Sequence, residues 1–81
     1  MKSLPEAFGH AIRGLREQTG VSQEAFAYSA NIDRAFMSRI ERGKSNVSLG
    51  TIEKVADALG IPLDVLFVEV ERQRGLAKPD R

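Results

Sequence analysis

Apolar residues along the chain recur three or four positions apart, the spacing that lines one face of a helix. Phe8, Ile12 and Leu15 form one such series, Phe26, Ala27 and Ala30 a second, and Met37 with Ile40 a third. Leu49, Ile52, Val55, Ala56 and Leu59 make a fourth, and Leu63, Leu66, Phe67 and Val70 a fifth. Polar punctuation separates them. Ser3 and Glu6 have the spacing of a capping box, while Ser22, Asp33 and Ser48 each stand where a side-chain oxygen can cap a helix start. Gly20, Gly43 and Gly60 stand at the ends, and Asn31 occupies a turn that wants a left-handed residue. Pro62 suits a first helical turn, where a missing N–H costs nothing. The pattern predicts five helices and no strands, a compact all-α domain over residues 1–74. Residues 75–81, GLAKPDR, have glycine, proline and charge without periodicity and are expected to form a flexible tail.

At 81 residues the chain is one domain whose core is marginal, so self-association is a natural source of stability. It has no cysteine and a single histidine, His10, which leaves no disulfide, no metal centre and no catalytic constellation to defend; no cofactor is expected. No apolar run approaches the length of about 20 residues that crosses a bilayer, and MKSLPEAFGH lacks the hydrophobic stretch of a signal peptide. A cytoplasmic location without membrane contact is expected, with no separate ligand-sensing segment and no small-molecule ligand evident.

The net charge of +1 conceals a polarity. Between positions 34 and 46, Arg34, Arg39, Arg42 and Lys44 face Glu41 alone; between 47 and 71, Lys54 faces Glu53, Asp57, Asp64, Glu69 and Glu71. One end of such a molecule is suited to a polyanion. Helices two and three, joined by a short turn, form the arrangement in which one helix braces against a duplex while the next enters its major groove. That groove is about 12 Å wide and admits a single helix, so the reading residues must project from one side of it. Arg34, Ala35, Phe36, Ser38 and Arg39 are the base-reading candidates.

With these residues placed, the chain resembles the lambda-repressor-like, XRE-type helix-turn-helix proteins. The resemblance covers roughly Ala7 to Phe67 and rests on IRGLREQTGVSQEAFA, NIDRAFMSRIERGKSN and TIEKVADALGIPLDVLF. Within the family, AYSANIDRAFMSRIERG looks most like the small controller proteins of restriction–modification systems, which bind DNA as homodimers. Asn31 departs from the glycine of many members. The resemblance implies that Gln23 anchors a DNA phosphate beside the positive end of helix two. It also implies that Lys44, Ser45 and Asn46 run along the phosphate backbone, and that Arg16 pairs with Glu41 to tie helix one to helix three. Arg34 is suited to guanine O6 and N7, with a phosphate as the rival partner; Arg39 can read a base or clamp a phosphate. Ser38 lets the backbone approach DNA or is a surface filler. Phe36 lies against a thymine methyl or leans back over helix four.

Helix five carries Val65 and Val68 off its core face, and a monomer this small has little use for a second apolar side. A two-fold dimer through helix five (62–74) and the adjoining part of helix four is expected, with Val65, Phe67 and Val68 as contacts. The expected function is a sequence-specific, homodimeric transcriptional regulator on a palindromic operator in double-stranded DNA, of the restriction–modification controller type that the resemblance implies, with RNA polymerase a further partner beside a promoter. The alternative is an antitoxin or other protein-interaction module, because one fold hosts both tasks. An enzyme is the weakest reading, since no nucleophile–base pair or paired-carboxylate cleft is present.

Overall fold

The helix starts follow from short polar side chains. In the computed structural model, which describes residues 1–75, Ser3 Oγ accepts the Glu6 N–H at 3.2 Å and the Glu6 carboxylate accepts the Ser3 N–H at 3.0 Å. This reciprocal box opens α1, Leu4–Gln18. Ser22 caps α2 (Gln23–Ser29), Asp33 caps α3 (Arg34–Glu41) and Ser48 caps α4 (Leu49–Leu59), each by accepting a backbone N–H from three residues ahead. The last helix, α5 (Leu63–Arg74), begins differently: Pro62 is the residue just outside it, with an extended ψ of 157° and no side-chain cap. Pro62 thus precedes the first turn in which it was expected.

Three of the helices end alike. After α2, Asn31 N–H donates to the Tyr28 carbonyl and Ile32 N–H to that of Ala27; Gly43 and Lys44 repeat this on Ile40 and Arg39, and Gly60 and Ile61 on Asp57 and Ala56. Each closure needs a left-handed residue, and Asn31 (φ 57°), Gly43 (φ 73°) and Gly60 (φ 71°) supply it. Gly43 is constrained twice, because a Cβ there would also lie 2.8 Å from Glu6 Cα. Gly9 marks the tightest crossing: its own added Cβ would collide with the Ile40 carbonyl oxygen, so α1 and α3 approach backbone to backbone.

The core is built around α1, which packs against α3, α4 and α5. Ile12, Met37, Ile40, Val55, Leu66 and Val70 are its largest fully buried side chains, with Phe8 and Phe26 closing its edges. Leu15, Ile52, Leu59 and Phe67 pack on it while half-buried. Two residues with core spacing lie outside it: Leu49 is 85% exposed and Leu63 is 51% exposed. Both are first residues of their helices, beyond the turns that pack on the core, and they line a shared surface opening with Ile52 and Phe67. Residues 76–81, most of the expected tail, lie outside the described residues. No described helix is long and apolar enough to cross a membrane.

Candidate nucleic-acid interface

Three buried residues, Met37, Ile40 and Glu41, set the rotation of α3 about its axis. At 100° per residue the opposite side then carries Ala35, Arg39 and Arg42, flanked by Arg34 and Ser38. Ala35, Arg34, Arg39 and Arg42 are exposed and Ser38 half-buried. Arg42 was absent from the sequence-based candidates, yet it lies seven positions after Ala35 and three after Arg39, spacings that place it on their face. Its Nε donates to the Ser38 carbonyl at 3.3 Å, which folds the guanidinium back along the helix. Phe36 is half-buried and packs on the edge of the core, so only part of its ring is left for a partner.

Arg34 is the first residue of α3, beside the capping Asp33, and no described acidic side chain forms a salt bridge with it. Arg39 is engaged: its Nε donates to Ser45 Oγ at 3.2 Å. A base-reading candidate and a phosphate-contact candidate are thereby joined, and the guanidinium leans toward the loop after α3. Lys44 and Asn46 are exposed on that loop and Ser45 is half-buried. The left-handed Gly43 turns the loop out of the helix axis, and the Arg39–Ser45 bond holds it beside α3.

Arg16 and Glu41 form a forked pair. Arg16 Nε donates to Glu41 Oε2 at 2.8 Å and Nη2 to Oε1 at 2.9 Å, while Nη1 reaches the Val21 carbonyl at 2.8 Å. The two side chains are only 10% and 3% exposed, and the hydrogen bond to Glu41 raises the Arg16 pKa against the opposing cost of burial. Gln23 joins the same group. Its Nε2 donates to Glu41 Oε1 at 3.1 Å, a contact between the first residue of α2 and the last of α3 that sequence reasoning missed.

A two-helix brace, an outward-facing helix bearing arginines and a polar loop beside it are thus assembled from residues 16–46. A model of the helix-turn-helix domain family matches residues 7–66. The chain belongs to that family. Control protein C.MunI from Mycoplasma sp. is 43% identical over 74 residues, covering 90% of this chain and all of that protein. The solved restriction–modification controller C.AhdI from Aeromonas hydrophila is 43% identical with a TM-score of 0.75, covering 78% of this chain and 96% of its own. The controller C.Esp1396I, solved as a tetramer in complex with its natural 35-base-pair operator, is 27% identical with a TM-score of 0.82, over 90% and 96% of the two chains.

In this helix-turn-helix protein the exposed apolar residues of α4 and α5 fall into two groups. Val65 and Val68, 47% and 63% exposed, project from the side of α5 away from the core. Phe67 does not share that side. It is half-buried, its ring centroid 6.4 Å from that of Phe8, and it faces an opening lined by Leu49, Ile52 and Leu63. The three expected dimer contacts therefore do not lie on one face, because residues 65 and 67 of a helix point about 160° apart. Phe67 and Ile52 also line an adjoining cleft of about 150 Å³ reached by Leu4, Ser45, Asn46 and Val47.

Proposed function

We propose that this protein is a homodimeric, sequence-specific transcriptional regulator of the restriction–modification controller type, acting on a two-fold symmetric operator. The observation that carries the reading is the orientation of α3. Burial of Met37, Ile40 and Glu41 leaves Ala35, Ser38 and Arg39 on a face framed by Arg34 and by the polar loop Lys44–Asn46. Arg34 approaches a base edge bidentately from the start of the helix, Ala35 and the exposed part of Phe36 meet thymine methyls, and Ser38 lets the backbone come close. Arg39, held toward Ser45, clamps a phosphate together with Lys44, Asn46 and Gln23.

The occupant of the α4–α5 surface is a second copy of the chain. Leu49, Leu63 and the edges of Ile52 and Phe67 form its centre, contiguous with the loop that meets DNA. Two recognition helices then sit about 34 Å apart, one turn of duplex. RNA polymerase is the partner when the dimer occupies a site beside a promoter. Two relatives matched over most of this chain's length are control proteins, which favours regulation over the antitoxin alternative.

Footprinting on the DNA upstream of the gene tests this. Two protected half-sites about one helical turn apart are expected, with affinity falling steeply between roughly 50 and 200 mM salt as counterions are released. A protein that protects nothing there, or binds equally at both salt concentrations, refutes the reading.

A further inference from the structure

We infer that Glu41 is a positioning residue for DNA binding: through Gln23 it presets the phosphate contact made by α2. The inference rests on the reading of Gln23 as a phosphate contact and adds how that contact is prepared before DNA arrives.

A glutamine on the first turn of an exposed helix ordinarily samples many rotamers, and a ligand must immobilise it. Gln23 is held in the free protein. A carboxylate only accepts hydrogen bonds, so Glu41 Oε1 at 3.1 Å fixes the amide with Nε2 toward Glu41 and its carbonyl oxygen turned away. Among the described residues only one of the two N–H groups is used, and the second is placed for an acceptor such as a phosphate oxygen. Glu41 cannot follow Gln23 outward, because Arg16 grips both carboxylate oxygens, at 2.8 and 2.9 Å, and the pair is almost fully buried. The third anchor is the main chain. Arg16 Nη1 holds the Val21 carbonyl, two residues before Gln23, so the segment leading into α2 is tied to the same guanidinium.

The geometry has a mechanical consequence. Glu41 is the last residue of the recognition helix and Gln23 the first of the bracing helix. One buried carboxylate therefore keeps the phosphate anchor in register with the base-reading face.

The test uses the full chain in four forms: wild type, Gln23→Ala, Arg16→Met with Glu41→Leu, and the triple variant. Replacing both partners of a buried pair with apolar residues of similar volume is often neutral or stabilising, unlike removal of one, and although the Val21 carbonyl also loses its partner here, the thermal melt reports what that costs. Binding to operator and to unrelated duplex is read by fluorescence anisotropy at fixed salt, beside a thermal melt of each form. Gln23→Ala should weaken both DNAs by a similar factor of about 3 to 10. The folded double variant should show most of that loss, and adding it to Gln23→Ala should cost nothing further. A double variant that melts like the wild type and binds like it overturns the inference, as does an equal further loss in the triple variant. If Gln23→Ala binds like the wild type, the positioning role falls while DNA binding stands; a wild type that binds no DNA instead removes the reading beneath it. Should the double variant not fold, 15N relaxation of the Gln23 side-chain amide in free wild-type protein decides. Order close to the rigid-backbone value of about 0.85 is expected, and a value below about 0.6 overturns the inference.

Discussion

Truncating Leu49 separates the two faces on which a dimer can form. In the protomer Leu49 is 85% exposed, so Leu49→Ala removes almost nothing from the monomer's own core, and a stability change within about 0.5 kcal/mol is expected. Across the proposed two-fold axis through the α4–α5 surface the same side chain would be buried in both copies. Each truncation deletes three carbons, worth about 0.8 kcal/mol apiece when fully buried, or about 1.5–2.4 kcal/mol per copy if burial is substantial. Symmetry doubles this to about 3–5 kcal/mol per dimer, so the dimer dissociation constant should rise by roughly two to three and a half orders of magnitude. Val68→Ala, on the other side of α5, should leave association within about threefold of wild type. Sedimentation equilibrium across a wide concentration range measures both, with a thermal melt confirming that the separated protomers stay folded. If Leu49→Ala associates like the wild type while Val68→Ala does not, the dimer uses the Val65–Val68 side and the argument from α4 is refuted. If neither variant changes a dimer that is present, apolar contacts of α5 are not what holds it.

Removing Glu41 alone, as Glu41→Ala, strands a buried guanidinium and should cost about 3–5 kcal/mol; for a domain with about 4–12 kcal/mol in total, the urea midpoint at 25 °C should fall by about a quarter or more, and an unchanged midpoint counts against the pair. The capping-box carboxyl of Glu6 sits below its ordinary value of 4.5, first because the Ser3 N–H donates to it and then because of the Ser3 hydroxyl. Its folded-state pKa is depressed, so its contribution is complete above about pH 4.5 and is lost as pH falls through the lower folded value. Glu6→Gln should therefore flatten the acid limb of a stability-against-pH curve, and an unchanged limb counts against the box. Arg34→Ala should relax discrimination at one position of each half-site by about 1–3 kcal/mol, read by competition with single-base operator variants; equal weakening of every sequence makes Arg34 a phosphate clamp.

The fold was legible because its instructions are local. Ser3, Ser22, Asp33 and Ser48 act within three residues of themselves, and Asn31, Gly43 and Gly60 turn the chain where they stand. Periodicity then assigned most buried positions correctly, including Ile12, Met37, Ile40, Val55 and Val70. It failed at Leu49 and Leu63 for a definite reason. Spacing reports which residues share a helix face, and says nothing of whether the first turn of that face extends beyond its neighbours.

Legibility of the interface divides along the same line. The outward face of α3 is implied by its buried face, since Met37 and Ile40 leave only one direction for Ala35 and Arg39; by that logic Arg42 was within reach of sequence reasoning as well. The bonds that prepare the face were not. Arg39 meets Ser45 across a left-handed turn, and Glu41 meets Gln23 and Arg16 across 18 and 25 positions, separations at which no periodic signal survives. Resemblance to known proteins suggested the Arg16–Glu41 pair, but a pair read that way is only a brace between two helices. With Gln23 added, the same carboxylate also ties the bracing helix to the recognition helix, so a change at Glu41 should alter DNA binding and stability by separable amounts. The sequence cannot show that separation, because it depends on where one amide N–H is already committed and where the other remains available.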